Sequence, residues 1–233
     1  MKIRIKFSKT GVMKFIGHLD IMRYFQKAIR RAEIDVTYTG GYSPHQVMSF
    51  AAPLGVGLES QGEYFDLEIN SMKNCEDLKV QLNNSMSDGI EILSVKVLPE
   101  DAGNAMASVA AAKYMVSFRN GYEPSGDWET SFKMFLEQEC IMVEKETKKS
   151  KKEFNLKPFL FSWEIKEHHV ILTVDASSSG NIKPSLIFQA FCLQQNIILS
   201  DFALQVTRLE TYTAKLDEGN QILIPLDEIG YTA

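Results

Sequence analysis

The chain has 233 residues, 45% hydrophobic and 24% charged, a globular balance that excludes a disordered composition. No apolar run approaches the ~18–20 residues of a membrane span, and the opening MKIRIKF alternates where a signal peptide would be continuously apolar. The net charge is −5, and three dispersed cysteines (Cys75, Cys140, Cys192) argue against a disulfide framework, so a soluble cytoplasmic protein is expected.

Ile3, Ile5 and Phe7 alternate with Lys2, Arg4 and Lys6, which predicts a half-buried strand over 2–8. From His18 to Ala32 the residues Leu19, Met22, Phe25, Ile29 and Ala32 recur at helical spacing. Gly40-Gly41 breaks the chain, and Gln46–Phe50 and Glu63–Ile69 read as strands. Asn74 precedes a helical run of Leu78, Leu82 and Met86 as an N-cap would, and Ile90–Leu98 closes this half as a strand. The order β-α-β-β-α-β is that of a ferredoxin-like half.

Pro99–Ala112 reads as a connector. Strand Lys113–Arg119, a helical stripe of Trp128, Phe132, Phe135 and Leu136, strands at Cys140–Thr147, Pro158–Ile165 and Val170–Asp175, a helix opened by Pro184 and strand Leu204–Leu209 then repeat the order. Gly219-Asn220 predicts the turn of a terminal hairpin. The expected fold is therefore α+β, with two ferredoxin-like halves in tandem. They cover 1–99 and 112–233, and the second carries an inserted basic loop at 145–157.

Charge is unevenly spread. Residues 1–50 carry nine Lys/Arg against three Asp/Glu, and 144–157 carry six against three, while 58–139 has fifteen acids and six bases. Such polarity can mark a polyanion site on an acidic protein. On the first helix Arg23, Lys27 and Arg30 lie at i, i+4 and i+7, on one face, with Lys14 just before it. Lys148, Lys149, Lys151 and Lys152 form the densest short cluster. Solvation explains such a face as well as a polyanion does, and lysines also protect hairpin tips and strand edges. For Lys2, Arg4 and Lys6 a local explanation suffices: Tyr64, Asp66 and Glu68 should face them across a strand pair.

The chain lacks a Walker loop, a dinucleotide fingerprint, a nucleophile elbow and metal-site cysteine spacing, so no cofactor or metal is expected. His18 and His45 remain as candidates for acid–base work on a phosphodiester. The local reading is that His18 caps or packs at the helix start and His45 bonds its own loop. His168-His169 reads as a turn.

The stretch FSKTGVMKFIGHLDIMRYFQKAIRRAEIDVTYTGGYSPHQVMSFAAPLGVGLES, followed by GEYFDLEI, resembles the N-terminal signature of the bacterial radical-SAM-linked family, and ETKKSKKEFNLKPFL resembles its second signature. The matching positions are Phe15, His18, Leu19, Asp20, Arg23, Gly41, Tyr42, Pro44, His45, Ser49, Pro53, Gly57, Glu59, Glu63, Asp66, Thr147, Lys148 and Lys151. Asn155 and Lys157 stand where the resemblance leads one to expect an aspartate and an arginine. It implies a non-catalytic accessory role to a separately encoded radical SAM protein. A fainter likeness, in element order only, is to CRISPR repeat-processing ribonucleases, whose Gly-rich terminal segment is missing.

Taken together, these features lead us to expect an accessory module that presents RNA to a radical SAM enzyme. Its nucleic-acid contacts would be Lys14, Arg23, Lys27, Arg30, Lys148, Lys149 and Lys151. The alternatives are a metal-independent RNA phosphodiesterase using His18 and His45, or a purely structural docking subunit.

Overall fold

The first strand, β1 (Lys2–Lys9), shows how alternation becomes architecture. Ile3, Ile5 and Phe7 point into a core with Phe25 and Ile29 of α1 (His18–Arg31) and Leu78 and Leu82 of α2 (Cys75–Asn83). The other face is buried too, against the half-buried expectation: Arg4 is fully buried, and its guanidinium reaches the Leu226 and Gly103 carbonyls as well as Asp66.

A computed structural model describes residues 1–147, 150–218 and 220–233, without the side chains of 145–147 and 150–152. After α1 come β2 (Met48–Phe50), β3 (Glu59–Glu68), α2, β4 (Ile90–Val97), the short α3 (Ala105–Ser108) and β5 (Ala111–Phe118). There follow α4 (Trp128–Glu137), β6 (Met142–Thr147), β7 (Ser150–Asn155), β8 (Leu160–Lys166), β9 (His169–Asp175), α5 (Pro184–Gln194), β10 (Leu204–Asp217) and β11 (Asn220–Pro225). The class is mixed α+β with mostly antiparallel pairing.

The chain forms two compact units, Met1–Ala111 with Arg208–Ala233, and Ala112–Thr207, and the two boundaries fall at the first residue of β5 and within β10. In the first unit the strand order is β4-β1-β3-β10, with β2 on β3 and β11 on β10. The register sets Arg4 opposite Asp66 and Lys2 opposite Glu68, as charge pairing across strands requires. Gly62 is needed for packing, since a Cβ there would lie 2.6 Å from the Glu210 backbone. In the second unit β5, β9 and β8 are neighbours in that order, and Phe132, Phe135, Phe188 and Phe191 from α4 and α5 fill the core.

Three expectations change. The segment 208–233, read as part of the second half, belongs by contact to the first unit. The connector contains α3, whose N-terminal region is fixed because the Ala105 N–H donates to Asp66 at 2.7 Å. The basic stretch 145–157 is not a loop joining the strands expected at Cys140–Thr147 and Pro158–Ile165: β6 and β7 pair as a hairpin of their own, and Leu160–Lys166 is a separate strand. Asn155 explains the closure of that hairpin, its Oδ1 accepting the N–H groups of Ile141 at 3.0 Å and Lys157 at 3.1 Å.

Candidate functional site

The signature of the first unit sorts into buried and exposed positions. Among its acids, Asp66 forms a two-pronged ion pair with Arg4, at 2.8 and 3.1 Å, inside the protein. Glu63 pairs with Arg208 at 2.8 Å, and both are buried. Glu59 takes the ammonium of Lys14 at 3.0 Å. These carboxylates are committed to cations that the fold has withdrawn, wholly or partly, from water.

Sequence reasoning missed Lys9 and Arg208. Lys9 is buried beside the Glu63–Arg208 pair, its ammonium reaching the Ile16 carbonyl at 3.4 Å. Burial holds its pKa below the ordinary lysine value, with Glu63 opposing and Arg208 adding to that shift. Lys9, Glu63, His18 and Pro53 line a cavity of about 10 Å³. That is space for one water molecule and not for a substrate. No periodicity points to this cluster, because Lys9 ends a strand and Arg208 comes from the far end of the chain.

His18 opens α1 but does not cap it. Gly17 holds the cap position without a side-chain bond, and the His18 ring packs edge-on to Phe50 at 5.5 Å. His45 is exposed and local: its N–H donates to Thr39 Oγ1, and its ring Nδ1 lies 3.1 Å from the same oxygen. The two histidines have different partners, Phe50 for His18 and Thr39 for His45. The stem of the GGYSPH loop attaches to α1 where Gln46 donates to the Gln26 carbonyl at 3.2 Å, about two turns beyond the helix start.

The outer face of α1 differs in kind. Ile21, Phe25, Ala28 and Ile29 face the core, while Arg23, Lys27, Arg30 and Arg31 are exposed. Arg23 reaches Asp20 at 3.3 Å on an open surface, a contact of small energy. Arg31 donates to the Ser85 carbonyl. Lys27 and Arg30 have no hydrogen-bond or ion-pair partner among the described residues. Lys14, expected in this group, is neutralised by Glu59, although its ammonium also sits 5.6 Å from the Phe15 ring centre. Lys148 and Lys149 lie outside the described residues, as does the side chain of Lys151.

Large apolar side chains accompany these cations. Phe15 is 64% and Leu19 66% exposed, and Tyr42 projects fully into solvent. Val56 joins them because Gly57, with φ +88°, donates its N–H to the Lys14 carbonyl at 2.8 Å and turns the 53–58 segment onto the 11–15 turn.

The sequence profile of a family described as "uncharacterized protein conserved in bacteria (DUF2344)" matches residues 2–184. The chain belongs to this family. The match covers the first-unit site and the β6–β7 hairpin. A search of curated proteins gives no match. The three cysteines are unbridged, and no cluster of three potential metal ligands occurs among the described residues. No described helix is long and apolar enough to cross a membrane.

Proposed function

We propose that this family member is a non-catalytic binding module that holds single-stranded RNA for a partner enzyme, the partner being the radical SAM protein implied by the resemblance. The observation that carries the reading is the outer face of α1. Exposed cations there stand without buried acids to neutralise them, in a unit that also exposes the Phe15 and Tyr42 rings. Cations that follow a phosphate backbone and aromatic faces that stack on bases are the two ingredients of single-strand binding. The tandem ferredoxin-like reading belongs to the same proposal, and the first unit's order β4-β1-β3-β2 supports it. Sequencing of nucleic acid crosslinked to the protein in cells tests the proposal. RNA enrichment that disappears when Arg23, Lys27 and Arg30 are changed to Glu is expected; equal recovery with both forms contradicts it.

A second reading is favoured by a separate observation. Val12, Phe15, Leu19 and Val56 are each more than half exposed on two adjoining segments, which suits docking on a protein. Under that reading Leu19→Glu abolishes co-purification with the radical SAM protein while the charge reversals leave it intact.

A further inference from the structure

The second unit contains a groove of about 880 Å³ that has no part in the first-unit site. Its size suits a small organic ligand, whose pockets span ~300–1,000 Å³. Arg119, Asn120, Tyr122, Trp128, His168 and Gln205 contribute to its lining.

One side is built by a strained turn. Glu167 and His168 join β8 to β9 with φ of +50° and +65°, the positive pair that a two-residue hairpin turn of type I′ requires. Such turns ordinarily use Asn-Gly, so two residues with full side chains are held here in a disfavoured conformation. The turn brings His168 Nδ1 to 2.5 Å from Glu129 Oε1, a solvent-shielded oxygen on the first turn of α4. The contact sets the ring against α4, and its other nitrogen, Nε2, has no hydrogen-bond partner among the described residues. The imidazole itself remains largely in solvent.

The other linings complete an inventory. Tyr122 is half exposed at a turn closed by its N–H to the Arg119 carbonyl. Arg119 is anchored through Nε to the Leu204 carbonyl at 3.3 Å. Glu123, a nearby acid, is occupied by the Gly121 N–H at 2.7 Å. Two lining acids (Glu123 and Glu167), with Glu129 behind His168, against one arginine make this a poor phosphate site. An open aromatic face, planar amide groups and an imidazole held against α4 suit an uncharged ring system bearing a hydroxyl.

We propose that this groove binds one unpaired nucleoside of RNA, its base stacked on Tyr122 and its ribose 2′-hydroxyl, which can donate or accept, hydrogen-bonded to His168 Nε2. The proposal deepens the RNA reading and rests on it for the ligand class. Its test is independent of the α1 cations, because the probes are uncharged. Trp128 lines the groove, and Trp163 is the only other tryptophan, so a Trp163→Phe background makes Trp128 fluorescence the reporter. Adenosine should give a saturable change, and 2′-deoxyadenosine should bind several-fold more weakly. Tyr122→Ala should lower adenosine affinity about tenfold, the usual scale for losing one stacking partner. His168→Asn, which tolerates the left-handed turn, should erase the difference between the two probes. Equilibrium dialysis of radiolabelled adenosine against the unaltered chain checks binding without the background substitution. No saturable binding by either method, unchanged affinity in Tyr122→Ala, or equal affinity for both probes overturns the proposal. Adenosine binding that persists when α1 charge reversal leaves RNA binding unchanged would break the helix reading alone.

Discussion

Two basic rows in the first unit look alike in sequence and do opposite things. On β1, Arg4 and Lys9 are buried and Lys6 lies close to Glu210, at 2.5 Å, and to the Tyr64 ring. On α1, Arg23, Lys27 and Arg30 stand in water, and only Arg23 touches an acid. The difference lies in what covers each face. The second face of β1 is closed by Leu226, Gly103 and β10, whose groups carry matching acceptors, whereas α1 turns its second face outward. Cations of the first kind specify the fold, and those of the second kind are available to a ligand.

The largest expected effect comes from unpairing a buried charge. Arg4→Met strands the Asp66 carboxylate and should cost about 3–5 kcal/mol in chemical denaturation. Arg23→Met should stay within about 0.5 kcal/mol of the parent. A loss of stability in Arg4→Met no greater than in Arg23→Met would erase the distinction between the rows.

Asn155 sharpens the comparison with a neutral lock. Asn155→Ala frees two backbone N–H groups and should cost about 1–3 kcal/mol, whereas Asn155→Asp keeps the acceptor oxygen and should cost clearly less. Equal losses in the two variants would mean that the acceptor is not what position 155 supplies.

Lys9 gives a pH signature. Its folded pKa lies below the ordinary 10.5, so between the two values the unfolded chain binds more protons and the Lys9 contribution to stability rises with pH. Tyr64 works against this at alkaline pH. Its burial, and then its neighbours Glu210 and Asp227, raise its pKa far above that of free tyrosine, so its contribution falls as pH passes 10. Subtracting the profile of Lys9→Met isolates the lysine: the parent should gain on the variant as pH climbs toward 10.5. A flat difference would show that Lys9 is not held in a desolvated site.

Much of the fold was legible because local patterns set it. Period-2 alternation gave β1, and the i, i+4 run of Leu78 and Leu82 behind Asn74 gave α2, whose cap bond from the Asp77 N–H is 2.7 Å. Periodicity could not give the partners supplied from the far end of the chain. Leu226 on Arg4, Glu210 on Lys6 and Arg208 on Glu63 all arrive through the C-terminal segment, so periodicity alone makes β1 half-buried and leaves 208–233 with the other half. At the site, the α1 cations were found by helical spacing alone. The Glu59 partner of Lys14 is not legible because it lies 45 residues away in sequence. His168 read as a mere turn because nothing in its neighbourhood announces Glu129 on another element.

The central claim is that the α1 face is available charge, and a salt titration of single-stranded RNA binding tests it most directly. Reversing Arg23, Lys27 and Arg30 to Glu touches no buried residue of the helix, so stability should change little. With the parent protein, log affinity should fall with log salt at a slope of roughly −0.7 per phosphate contact. The triple variant should lose binding already at low salt. Binding by the parent that ignores salt, or a variant that binds as the parent does, would contradict the account.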